Sequence, residues 1–233
     1  MRRIIFGAAA AVTLLAGGVR AGDDPVVVEL FTSQGCSSCP PADEMLADLS
    51  RRDDVIALGL HVDYWDYIGW PDRFADQAYT SRQQHYAAEA GERTIYTPQF
   101  VVGGRRQVTG ARPIELMDAI QAHEEAPEEV HVALEEGADG LWLTAPAAQA
   151  PRPMAIHLVH YQPESRVEIE AGENAGRTLT YANIVTSWEV LGEWDGSTPL
   201  RMQLPQGGGP GAVLVQATGH HGPGAILAAA RLD

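Results

Sequence analysis

Cys36 and Cys39, the two cysteines of this 233-residue chain, lie in the stretch GCSSCPPAD. The apolar run VVVELF before them predicts a strand that is buried on both faces. The segment PPADEMLADLSRR after them predicts a helix, because prolines begin it and acidic residues lie in its first turn. This order of strand, cysteine pair and helix predicts an α/β fold with both sulfurs exposed at the start of the helix.

The rest of the chain divides into two regions with different patterns of predicted secondary structure. The run DDVIALGLHV predicts a second buried strand, TPQFVVGGRRQVTG a hairpin, and RPIELMDAIQAHEE an amphipathic helix. The stretch of about residues 63–95 lacks strand signals, which predicts a helical insertion. After residue 126, short β-rich segments alternate with turns rich in Gly, Pro and Asp. We therefore expect an α/β domain over residues 22–126 and an all-β, sandwich-like domain over residues 127–233.

The first 21 residues have the pattern of a secretory signal peptide. Arg2 and Arg3 precede a short apolar run, and small residues surround a cleavage position after Ala21. The run is shorter than the roughly 20 apolar residues that cross a bilayer, and no later segment reaches that length. The sequence thus predicts a protein that is exported to the periplasm or beyond, without a membrane span.

The charge composition excludes several classes of function. The formal net charge is −15, which disfavours nucleic acid and anionic lipid surfaces as partners. All 16 basic residues are arginine, so Schiff-base chemistry on a lysine is excluded. No motif for a resident cofactor is evident, and we predict none.

The cysteine pair has three interpretations. As a structural crosslink it closes only about four residues, which the loop-entropy model values at roughly 2 kcal/mol. As a carrier site for copper(I) or zinc it needs further ligands, for which His61 and His85 are the candidates. As a redox pair it lies where the positive end of a helix dipole favours the reactive thiolate. Cys36 would then attack, and Cys39 would resolve the mixed disulfide.

The order of elements from Val26 to about Glu125, with Thr97-Pro98 before a strand, resembles the thioredoxin family. The resemblance implies that Cys36 is the nucleophile, that Cys39 is the resolving thiol, and that Pro98 is a cis-proline beside them. It also suggests a role for Glu29, the charged residue within VVVELF. We hypothesise that this buried acid relays protons for Cys39.

A narrower resemblance covers most of the chain. The segments ELFTSQGCSSCPPAD, HVDYWDYIGWPD, YTPQFVVGG and ANIVTSWEVLG together resemble an exported thioredoxin-like family known as domain of unknown function 1223. The resemblance implies export and a thioredoxin-like domain, without an assigned substrate.

The aromatic and acidic stretch HVDYWDYIGWPD follows the second predicted strand, at the sheet edge where α/β proteins bind ligands. We predict that Asp63, Tyr64, Trp65 and Trp70, together with Thr97, form the substrate-binding rim. Alternatively, the tryptophans simply pack the helical insertion onto the sheet.

The sequence thus predicts a thiol–disulfide oxidoreductase that acts on exported protein thiols or on a small thiol. The alternatives are the metal carrier and a binding module without redox chemistry.

Overall fold

The computed structural model describes residues 24–232, which contain more strands than helices. The predicted signal peptide lies outside the described residues. The helices are α1 (Pro40–Leu49), α2 (Gln77–Glu89) and α3 (Pro113–Glu124), with a 3-10 turn at Asp66–Ile68. The strands are β1 (Val26–Thr32), β2 (Val55–His61), β3 (Gln99–Val102), β4 (Arg106–Thr109), β5 (Ala133–Gly137), β6 (Gly140–Ala145), β7 (Met154–Glu168), β8 (Thr178–Trp194), β9 (Leu200–Gln203), β10 (Gly211–Thr218) and β11 (Pro223–Leu232).

Eight of these strands form one mixed sheet in the order β11-β10-β7-β8-β2-β1-β3-β4. Strand β1 runs parallel to β2, and β2 runs parallel to β8, whereas the other neighbours are antiparallel. Strands β5, β6 and β9 form a second, three-stranded sheet. None of the helices in residues 24–232 combines the length and the apolarity needed to cross a membrane.

The two halves of the large sheet meet where β8 reaches the edge of β2. Gly59 pairs there with Ile184, and the side-chain amide of Asn183 donates to the Ala57 carbonyl at 2.9 Å. A Cβ on Gly59 would lie 3.2 Å from the Ala182 carbonyl oxygen, so the absence of a side chain permits this close approach.

The predicted fold class, a thioredoxin-like α/β domain followed by a separate all-β domain, is wrong. Strands from both sides of residue 127 share the eight-stranded sheet. They also share a core, because Val27 and Phe31 of β1 belong to the same apolar cluster as Val159 of β7 and Leu214 of β10. The prediction treated each half as burying its own surface, and the local pattern of β2 does not reveal that β8 covers its edge.

The two faces of β1 are covered by different elements. Val28 and Leu30 pack with Leu46 of α1, whereas Val27 and Phe31 belong to the cluster that contains Tyr86 of α2. Because successive side chains of a strand point to opposite faces, β1 separates the α1 side of the sheet from the α2 side. This division decides which side chains can reach the cysteines.

Candidate functional site

Cys36 and Cys39 form a disulfide at the amino terminus of α1. Cys39 is the N-cap residue, and its carbonyl accepts hydrogen bonds from the amides of Ala42 and Asp43. Both cysteines are fully buried, so the prediction of exposed sulfurs is wrong for this conformation. The two serines between them remain exposed.

The loop that joins β7 to β8, residues 169–177, packs against the cysteine turn. Asn174 is almost fully buried, and its amide donates to the carbonyls of Gln34 at 2.9 Å and Cys36 at 3.0 Å. The Glu173 carboxylate accepts a 2.6 Å hydrogen bond from the Ser37 hydroxyl at the surface. Sequence reasoning assigned these residues to the separate β domain and therefore missed their contact with the cysteines.

The aromatic segment lies on another side of the same turn. The indole of Trp70 donates to the side-chain carbonyl of Gln34 at 2.8 Å. A Cβ on Gly35 would come within 3.1 Å of Trp65 and 3.0 Å of Ile68, so glycine allows these side chains to approach the turn. The structure thus brings Trp65 and Trp70 to the residues that precede Cys36.

The Thr97–Pro98 peptide bond is cis and lies directly before β3. The Thr97 carbonyl oxygen is 3.5 Å from the Ser38 hydroxyl, which in turn is 3.4 Å from Cys36 Sγ. The Thr97 hydroxyl accepts a 2.7 Å hydrogen bond from the Trp65 indole. Thr97 and Pro98 therefore adjoin the cysteine turn on the side of the exposed serines.

Asp63 and Tyr64 are directed towards α2. The Asp63 carboxylate accepts a hydrogen bond from Thr80, and the Tyr64 hydroxyl donates to Gln83 at 3.2 Å. Desolvation raises the pKa of Tyr64 to about 12. The polar groups of Asp63 and Tyr64 are therefore engaged by residues of α2, and their predicted role in substrate binding stays a prediction.

Glu29 is fully buried, but it lies on the α2 side of β1. Its carboxylate accepts hydrogen bonds of 2.6 Å from Arg82 and from the Tyr86 hydroxyl. The guanidinium of Arg82 also stacks over the Trp188 ring at 3.8 Å. Because α1 packs on the opposite face of β1, the structure does not bring Glu29 to Cys39.

The buried acid beside the cysteines is Asp43, which sequence reasoning missed. Its amide donates to the Cys39 carbonyl at 3.1 Å, so it lies one helical turn after Cys39 on the same face of α1. Oδ1 accepts a 2.7 Å hydrogen bond from Thr32, whereas Oδ2 is buried without a hydrogen-bond partner among residues 24–232. The sequence signal for the burial of Asp43 was its three-residue spacing to Leu46, which places both side chains on the buried face of α1.

Burial sets the acidity of Asp43. Desolvation raises its pKa from an ordinary 3.8 to about 7. The charges of Asp72 and Glu44 add to this rise, while His61 and the hydrogen bond from Thr32 oppose it. Near neutral pH this carboxyl can therefore both donate and accept a proton.

The alternative metal ligands do not come together in the structure. His61 is buried and bonded to Asp72 at 2.6 Å, with the Tyr181 ring 4.8 Å from the imidazole. His85 is exposed on α2, beside Gly222. No three of Cys36, Cys39, His61 and His85 form a group with metal-ligand spacing among residues 24–232.

Comparisons with known proteins identify relatives of this chain. A family model described as "Protein of unknown function (DUF1223)" matches residues 27–216. A protein of Agrobacterium tumefaciens, known from an X-ray crystal structure, is 33% identical with a TM-score of 0.77, covering 89% of this chain and 93% of that chain. HBP35 of Porphyromonas gingivalis is 18% identical with a TM-score of 0.54, covering 90% of this chain and 75% of that chain, which is a likeness of fold alone. No curated protein matches.

Proposed function

The chain belongs to the DUF1223 family, and we propose that it carries out thiol–disulfide exchange through Cys36 and Cys39. The observation that carries the proposal is the position of the disulfide at the start of α1, with the protonatable Asp43 one turn further along. A thiolate at a helix amino terminus is stabilised by the helix dipole. An adjacent carboxyl with a pKa near 7 provides the proton that a leaving thiolate takes up.

The reaction balances without a further reactant. A substrate thiolate attacks Cys36 Sγ, the Cys36–Cys39 bond breaks, and Cys39 leaves as a thiolate that takes a proton from Asp43. A second substrate thiolate then attacks the mixed disulfide and releases the Cys36 thiolate. The substrate dithiol is oxidised to a disulfide by two electrons, and the protein disulfide is reduced. The reverse sequence reduces a substrate disulfide, and the relative reduction potentials set the direction.

Access to the buried disulfide requires a local opening. We propose that the β7–β8 loop moves, because it lies against the cysteine turn. The hydrogen bonds of Asn174 and Glu173 to this turn would break when the loop opens. The Ser37–Glu173 bond is exposed and therefore contributes little to stability. Opening this loop costs less than global unfolding, as is usual for loops beside active sites.

The substrate is a thiol or disulfide that reaches the serine side of the turn. Ser37 and Ser38 are exposed there, and Tyr67 of the neighbouring aromatic segment is 82% exposed. An exposed cysteine pair of another protein and a small thiol such as glutathione both fit this description. We expect the reaction to take place in an exported compartment, because residues 1–21 have the pattern of a signal peptide.

The test is to measure the exchange rate of the oxidised protein with reduced glutathione and the reduction of insulin disulfides. We expect Cys36→Ser to abolish both. We expect Asp43→Asn to slow the step in which Cys39 leaves, by roughly 10²-fold, as for other general acids. Asp48→Asn on the same helix is the matched control, because its side chain is 75% exposed and should leave the rate unchanged.

One result would contradict disulfide exchange itself, and another would exclude Asp43 from it. A disulfide that glutathione reduces only under denaturing conditions would indicate a structural crosslink. Equal rates for the Asp43 and Asp48 variants would leave disulfide exchange in place but would remove Asp43 from it.

A further inference from the structure

A second cluster of ionisable side chains lies at the other end of β1. Asp24 lies two residues before the strand, and Glu128 and His131 lie in the segment between α3 and β5. Because β1 has 7 residues, this cluster is separated from the cysteine end of the strand by roughly 20 Å. We call Asp24, Glu128 and His131 the acid–histidine cluster.

The distances within the cluster suit a shared ion better than direct hydrogen bonds. His131 Nδ1 is 3.6 Å from Asp24 Oδ1 and 3.5 Å from Glu128 Oε1. In the same protein, the directly bonded pair of His61 and Asp72 is separated by 2.6 Å. Ligand atoms about 2.1 Å from a tetrahedral zinc ion are about 3.4 Å from one another, close to the distances in this cluster.

The charges of the cluster also call for a cation. The ligand atoms of Asp24, Glu128 and His131 all lie within 4.8 Å of one another, so two carboxylates that repel each other when ionised are held close together. Oδ2 of Asp24 is buried and accepts no hydrogen bond from residues 24–232. The nearby Glu129 is already paired with Arg105 and Arg152, whereas Asp24 has no arginine partner within the described chain.

We propose that Asp24, Glu128 and His131 bind one divalent transition cation of the zinc type. One imidazole nitrogen and two carboxylate oxygens favour zinc over calcium and magnesium, which prefer oxygen ligands alone. Three protein ligands leave a coordination position for water. Asp24 and Glu128 line a cavity of about 300 Å³, which provides room for that water and a path for the ion.

The ion would link two parts of the chain that are distant in sequence. Asp24 lies at the start of the described residues, and His131 leads into the three-stranded sheet through β5. A ligand that binds only the folded chain stabilises it by mass action. Zinc binding should therefore raise the midpoint of thermal unfolding, independently of any activity at the cysteines.

The test uses the oxidised, tag-free protein, in which the cysteines are held in the disulfide. Titration calorimetry with zinc chloride should give one site for each chain. Cobalt(II), used as a spectroscopic substitute, should give the visible absorption of a protein-bound ion. Replacing His131 by alanine, or Asp24 by asparagine, should weaken zinc binding by at least about tenfold.

Two control variants make the result specific. Glu129→Gln removes a carboxylate from the same segment, and His220→Ala removes a histidine from a distant turn; both should bind zinc as the parent protein does. Circular dichroism of each variant confirms that it folds. No zinc binding at millimolar zinc would overturn the proposal, and so would undiminished binding by the folded His131 variant.

Discussion

Replacing Asp43 by asparagine removes one buried carboxyl and changes little else. The side chain is 6% exposed, and the asparagine oxygen can still accept the hydrogen bond from Thr32. The substitution therefore isolates the cost of ionising a carboxyl beside Cys39. The perturbation is informative because the pKa of Asp43, about 7, is far above its ordinary 3.8.

The size and sign of the effect follow from proton linkage. Below about pH 4 the carboxyl is protonated in both the folded and the unfolded chain, so it does not affect stability there. Between about pH 4 and pH 7 the folded chain keeps a proton that the unfolded chain has lost. The Asp43 carboxyl therefore lowers the free energy of unfolding of the parent protein by about 1.4 kcal/mol for each pH unit in this range. The total loss is about 4 kcal/mol by pH 8.

The assay is urea denaturation of the oxidised parent protein and of the Asp43→Asn variant at pH values from 4 to 8. The difference in the free energy of unfolding, variant minus parent, should rise by about 4 kcal/mol over this range. Taking the difference between the two proteins cancels the titration of groups that do not interact with Asp43. A difference that is independent of pH, or that falls as pH rises, would refute a carboxyl held protonated by burial.

Three further substitutions test the rest of the structure. Glu29→Gln should lower the free energy of unfolding by about 3–5 kcal/mol, because it leaves the Arg82 charge buried and unpaired. The pH profile of glutathione exchange should not change, and a change would contradict the separation of Glu29 from the cysteines. Asn174→Ala should make loop opening easier by about 1–3 kcal/mol and disulfide reduction about tenfold faster or more. Asn183→Ala is its control, and equal reduction rates for the two would exclude the β7–β8 loop as the cover. Gly59→Ala should lower the free energy of unfolding by about 1–3 kcal/mol, because its Cβ would crowd the β8 backbone, and an unchanged urea midpoint would contradict this.

Local sequence patterns were sufficient to predict the structure where neighbours in sequence are also neighbours in space. The run VVVELF is a buried strand, and PPADEMLADL is a helix that begins at Pro40. The disulfide follows from the same logic, because two cysteines separated by two residues at a helix start lie within bonding distance. The predicted roles of Cys36, Cys39, Pro98 and the aromatic rim stay predictions.

Glu29 and Asp43 show why the site needed tertiary structure. Both acids are buried, and the sequence selected Glu29 because it interrupts an apolar strand. Only the packing of α1 and α2 on opposite faces of β1 reveals that Asp43 accompanies Cys39, while Glu29 pairs with Arg82. The exposure of the sulfurs was predicted incorrectly for a related reason, since the loop packed on their turn is more than 130 residues away.

The sequence by itself determined the short elements and the chemical groups that they carry, because hydrophobic period, prolines and helix caps act over a few residues. The tertiary structure decided how the strands join, since the edge of β2 is satisfied by β8 at a distance of 125 residues, between Gly59 and Ile184. Strand pairing depends on which edges meet when the apolar faces are buried together. That long-range choice made one eight-stranded sheet from two apparent domains and placed the β7–β8 loop against the cysteine turn.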